Sequence, residues 1–91
     1  KSIDNIDNAI VAMFAERFKV TDKVGLYKAE NQLPAKDVER EQSQFTRISE
    51  LAENYGLDPE FAKDFLKTVI EKVVANHVEI AKVRSTSNQH D

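Results

Sequence analysis

The chain has 91 residues, a net charge of −3, 32% charged residues, two Gly, two Pro and no Cys. A chain this short makes one domain whose core buries a smaller share of its surface than a larger domain's, so size alone favours a partner. The absence of cysteine excludes disulfides and thiolate chemistry, the interleaved charges exclude a basic nucleic-acid stripe and a polybasic membrane patch, and the scarcity of Gly and Pro disfavours an all-β fold.

No secretory leader or membrane-spanning run is recognisable, so a cytoplasmic domain with a small ligand is expected. The sequence opens on Lys1 rather than an initiator methionine, and preceding residues are expected. From Ile3, the residues Ile6, Ile10, Met13, Arg17, Val20, Val24 and Tyr27 follow in steps of three and four, which is the a/d seam of a heptad. The spacing predicts one helix over 1–30, about 45 Å long at 1.5 Å per residue, longer than a domain of this size is wide. Such a helix needs apolar surface from a second chain. The pattern breaks at Leu33 and Pro34, where proline removes a donor and disfavours helix in the residue before it.

A second seam, Val38, Glu41, Phe45, Ile48, Ala52 and Tyr55, predicts a helix over 36–55 that ends at Gly56, a residue suited to a left-handed cap. Asp58 and Pro59 read as the N-cap and first-turn proline of a third helix, with Glu60 favouring its positive end. That helix carries two apolar stripes, Phe61, Phe65, Val69 and Val73 on one side and Leu66, Ile70, Val73, His77 and Ile80 on the other, so it should be covered on both. The expected domain is 1–84, an all-α bundle of three helices with a long first helix, and 85–91 is expected to be a disordered tail.

The informative residues interrupt the seams: Arg17 in the first helix, Glu41 in the second and His77 in the third. A buried charge needs a partner or a ligand of opposite charge. Lys28 stands eleven residues after Arg17, nearly the same face about 16 Å away. With Thr21 and Val24 between them, the two cations are spaced to clasp a small anion. Arg40 precedes Glu41, and Asp37, one turn earlier, is placed to orient the Arg40 guanidinium. A structural reading stands beside each of these. Arg17 with Glu41 makes a register-fixing pair, Lys28 alone is a solvated lysine, Asp37 with Arg40 an ordinary surface pair, and His77 a core histidine held by a neighbour. Nothing in the sequence has the look of a metal set.

These residues carry a resemblance. The co-linear set Ile3, Ile6, Asp7, Ile10, Arg17, Val24-Gly25, Lys28, Pro34, Asp37, Arg40-Glu41, Gly56-Leu57-Asp58-Pro59 and Val69-Ile70-Glu71 resembles the small all-helical class of chorismate mutases, from about Ser2 to Ala81. The resemblance implies an intertwined homodimer with paired first helices. Each of its two sites would be completed by the N-terminal part of the partner's first helix. It implies rearrangement of chorismate to prephenate, in the shikimate pathway toward phenylalanine and tyrosine, a unimolecular pericyclic reaction that needs no nucleophile, metal or cofactor.

Carried over by position, Arg17 and Arg40 would hold carboxylates, and Lys28 would donate to the ether oxygen and a neighbouring carboxylate. Glu41 would accept from the ring hydroxyl, Asp37 would orient the site near it, and Val24 and Ile70 would form apolar walls. Three departures stand out. The family's partner-derived arginine falls just before Lys1. Val73 replaces a small hydroxyl residue, and His77 stands where well-known members use Gln or Glu against the ether oxygen. A histidine there predicts a pH-dependent rate, through a donor available in either charge state. Two other functions compete: an isochorismate pyruvate lyase of the same fold, disfavoured by the intact Asp37, Arg40 and Glu41, and a non-catalytic helical dimerisation or regulatory domain, for which Arg17→Ala would be harmless or stabilising.

Overall fold

The computed structural model describes the backbone of residues 1–89 and the side chains of residues 1–84. Three helices follow one another: α1 (Ser2–Glu30), α2 (Val38–Tyr55) and α3 (Pro59–Gln89). Their boundaries have local causes. α1 ends where the Asn31 amide donates to the Tyr27 carbonyl at 2.8 Å, the Leu33 N–H turns back to the Lys28 carbonyl at 2.8 Å and Gln32 takes a φ of 56°. α2 starts two positions later than the seam predicts, at Val38, because Asp37 serves as its N-cap. It stops at Gly56, whose φ of 74° is the left-handed conformation that a side chain would disfavour, while the Leu57 N–H returns to the Ala52 carbonyl at 2.8 Å. Asp58 accepts from the Glu60 N–H at 3.0 Å, and Pro59 opens α3. The backbone of α3 runs on to Gln89 rather than ending at 84. The tail expected over 85–91 lies otherwise outside the described residues.

α1 and α2 both pack on α3 but not on each other: among the described residues no Cα of α1 comes within 8 Å of a Cα of α2. α1 and α3 run in the same direction, since Phe14 meets Phe65 at 5.2 Å between ring centroids and Glu30 meets Arg84 at 3.7 Å. The core is thin, with Ala52, Ala62, Leu66, Val69 and Ile70 as its buried apolar residues and His77 buried among them. The molecule extends 52 × 32 × 15 Å with a radius of gyration of 16.0 Å. A compact domain of this length would have a radius of about 12 Å. A plate little thicker than a helix leaves each helix a bare side.

On α1 that bare side is the heptad seam, with Ile3 74% exposed and Met13 73% exposed and Ile6, Ile10, Val20, Val24 and Tyr27 open as well. The expectation that α3 is covered along both stripes holds for Leu66, Ile70 and His77, whereas Phe61 stays 56% exposed and Phe65 45%. On the Phe61 stripe Val69 is buried, and the Phe14 ring of α1 lies 5.2 Å from that of Phe65, so the cover is partial. No described helix is long and apolar enough to cross a membrane.

Candidate functional site

The gap between α1 and α2, floored by α3, is a cavity of about 410 Å³. Every residue singled out from the sequence lines it: Arg17, Val24 and Lys28 from α1, Asp37, Arg40 and Glu41 from the start of α2, and Ile70, Val73 and His77 from α3. The helical repeat brings them together. Residues 17, 24 and 28 fall on one face of α1, and steps of three and four put 70, 73 and 77 on one face of α3.

Arg17 is half-buried, and its Nη1 is fully enclosed with no hydrogen-bond partner among the described residues. The interhelical Arg17–Glu41 pair considered as a structural alternative does not form. Glu41 is held instead by Lys36, whose Nζ lies 2.9 Å from Oε1 and 3.1 Å from Oε2. Lys36 sits in the loop ahead of the α2 cap and reaches the carboxylate without crossing the gap. The enclosed guanidinium nitrogen of Arg17 is therefore left for something else, because an unsatisfied buried donor costs about 1–3 kcal/mol, more when charged.

Lys28 donates to the Ala35 carbonyl at 3.4 Å, a long bond that a better acceptor displaces readily. Asp37 does not orient the Arg40 guanidinium as expected. Its Oδ1 accepts from the Arg40 backbone N–H at 3.1 Å, since a carboxylate at the N-cap meets the free donors of the first turn before any side chain. The Arg40 side chain is exposed at the mouth of the cavity.

His77 is 4% exposed, and its Nε2 lies 2.8 Å from the Thr21 carbonyl oxygen. A carbonyl only accepts, so Nε2 carries the proton and donates. Nδ1 is buried without a partner among the described residues. This corrects the expectation of a donor in either charge state. With Nε2 committed to α1, the neutral ring offers only an acceptor at Nδ1, and it donates to a ligand only as imidazolium.

Sequence reasoning missed Lys36, Gln44 and the role of Gly25. Gln44 lines the cavity one turn beyond Arg40 and Glu41, and that spacing was readable. Lys36 lies in an aperiodic loop and carried no signal. Its pairing with Glu41 joins a 59% exposed to a 16% exposed side chain and is worth at most about 1 kcal/mol. Lys36→Met is accordingly expected to lower kcat/KM by about two- to fivefold in steady-state kinetics.

Chemically, the cavity presents three cations and two carboxylates over an apolar floor. The Thr21 hydroxyl, which borders it, already donates to the Phe18 carbonyl at 3.2 Å. The arrangement suits holding a small polyanion in a fixed shape rather than attacking it.

The family described as chorismate mutase type II matches residues 1–78 of the chain. Among curated relatives, a bifunctional chorismate mutase/prephenate dehydratase of Buchnera aphidicola subsp. Acyrthosiphon pisum is 32% identical over 80 residues, covering 88% of this chain and 21% of that protein. A chorismate mutase of Methanocaldococcus jannaschii is 32% identical over 71 residues, covering 78% of this chain and 72% of that protein. The chain thus spans about a fifth of the length of the bifunctional relative.

Proposed function

The chain belongs to the chorismate mutase type II family, and we infer that it converts chorismate to prephenate in the cavity between α1 and α2. The observation that carries this reading is the enclosed, partnerless guanidinium nitrogen of Arg17, in one cavity with Lys28 and Arg40. Chorismate is a dicarboxylate ether with one ring hydroxyl. Arg17 and Arg40 take the carboxylates, Lys28 turns from the Ala35 carbonyl toward the ether oxygen, and Glu41 accepts from the hydroxyl. Val24, Ile70 and Val73 press the side chain over the ring. In the reaction the ether C–O bond breaks as a C–C bond forms within the same molecule, and no atom enters or leaves. The protein's contribution is to hold the compact conformer and to stabilise negative charge growing on the ether oxygen.

His77 lines the same cavity from α3 and joins Lys28 beside the ether oxygen. His77→Ala is expected to lower kcat by about tenfold with KM changed less, measured by steady-state kinetics with chorismate.

A second copy of the chain completes the assembly. The bare seam of α1 continues into an apolar hollow of about 270 Å³ lined by Ile10, Met13, Phe14, Ile48, Phe65 and Val69 among others, a surface suited to the same seam of a partner. The dimer buries what the plate exposes and brings the start of the partner's α1 toward Arg17. The reading is that of a cytoplasmic homodimer serving aromatic amino acid synthesis.

Product analysis after incubation with chorismate, and separately with isochorismate, tests the reading. Prephenate from chorismate supports it. Pyruvate from isochorismate with no prephenate from chorismate assigns the chain to the lyase of the same fold.

A further inference from the structure

We propose that Gly25 is a positioning residue that acts through His77, and that the notch it leaves in α1 fixes the orientation and tautomer of the His77 ring. What the ring acts on rests on the mutase reading; the seat itself does not. Gly25 is the buried residue of α1 and lies well inside the helix, where glycine is a poor helix former. Its presence needs a compensating contact, and the contact is the imidazole. A Cβ built on Gly25 would stand 2.5 Å from His77 Cδ2, 3.1 Å from His77 Nε2 and 3.1 Å from Ile80 Cδ1. The first distance is one that real Cβ atoms essentially never show, so a side chain at position 25 would push the buried ring from its seat.

The same approach explains the hydrogen bond. Thr21 stands four residues before Gly25, so its carbonyl is the one that the Gly25 N–H meets in an α-helix. Nε2 reaches that oxygen over the missing side chain, at 2.8 Å. A ring turned over about its Cβ–Cγ bond would exchange Nδ1 with Cδ2 and Nε2 with Cε1, placing a carbon against the carbonyl, so the seat selects one orientation and one tautomer. The Cδ2 edge then faces Gly25, and the opposite edge carries Nδ1, buried and without a partner. Backbone alone supplies both halves of the seat, the notch and the acceptor, so neither depends on how the charged residues of the cavity are arranged.

The test compares Gly25→Ala, His77→Ala and the double variant with the wild-type protein, using ¹⁵N NMR of the imidazole, kcat and KM for chorismate, and thermal stability. Under alkaline conditions that make the imidazole neutral, the wild type is expected to carry the ring proton at Nε2. Gly25→Ala is expected to lose that signature and to lower kcat by about tenfold or more with KM changed less than about threefold, since the ring shapes the reaction step rather than the grip on carboxylates. With His77 already Ala, adding Gly25→Ala should change kcat far less than it does in the wild-type background and lower the melting temperature little, because alanine is the better helix former and the one close contact left, Ile80 Cδ1 at 3.1 Å, is the far end of a flexible side chain. Should Gly25→Ala fail to fold, a folded double variant still supports the notch. An Nδ1-protonated ring in the wild type, an equal loss of kcat in both backgrounds, or a Gly25→Ala protein with unchanged ring signature and kcat each overturns the proposal. A wild type with the Nε2 tautomer that leaves chorismate unconverted removes the mutase reading and not the seat.

Discussion

Arg17→Ala is expected to lower kcat/KM for chorismate by at least about a hundredfold while leaving the fold and the assembly intact. Two charge-assisted hydrogen bonds from one guanidinium to a carboxylate are worth about 3 kcal/mol or more, which sets that scale. The expected effect on stability has the opposite sign. Arg17 has an enclosed nitrogen with no partner among the described residues, so the empty protein bears a desolvation penalty that the alanine variant does not. Its melting temperature should match or exceed that of the wild type. The contrast separates a ligand-holding arginine from a structural one, whose removal would lower stability and leave any activity unaltered. Steady-state kinetics and thermal denaturation on the same preparation decide between them.

Ile10→Asp is expected to divide the dimer. Ile10 is 45% exposed in the single chain and lies in the N-terminal half of the α1 seam, so a second copy's seam would cover it. A carboxylate placed there loses its hydration on association and gains no partner. At about 3 kcal/mol this raises the dimer dissociation constant roughly a hundredfold. Because each site is expected to be completed by the start of the partner's α1, turnover should fall along with the dimer and return at high protein concentration. Sedimentation equilibrium paired with activity over a concentration series checks both. An Ile10→Asp protein that remains dimeric and active would place the interface elsewhere.

Much of this architecture was legible in the sequence because it is written in periodicity. The seam from Ile3 to Tyr27, the Gly56 stop and the Asp58-Pro59 start depend on residues close in the chain, and the helices begin and end where those signals stand. The meeting of Arg17, Lys28, Asp37, Arg40, Glu41, Val24, Ile70, Val73 and His77 in one cavity follows from the same arithmetic, since each residue is in phase with its own helix. What could not be read depends on contacts across helices or on competition between donors. The Asp37 carboxylate was free, on paper, to meet either the guanidinium of Arg40 or its backbone N–H, and only the cap geometry decides. Lys36 takes Glu41 from a loop with no period. The bond between His77 and the Thr21 carbonyl joins residues 56 apart, and nothing in either local segment announces it. Gly25 was visible as part of a Val-Gly pair, but its reason lies on α3.

The most direct test of the central claim, that the gap between α1 and α2 holds a dicarboxylate for rearrangement, is to titrate the protein with a non-reactive bicyclic diacid that mimics the compact transition state, following the Arg17, Lys28 and Arg40 side-chain signals by NMR. Those three signals and the His77 ring are expected to shift together in saturable fashion, and the diacid to compete with chorismate. Saturable binding that leaves Arg17 and Arg40 unmoved, or no binding by a protein that nonetheless forms prephenate, would contradict that claim.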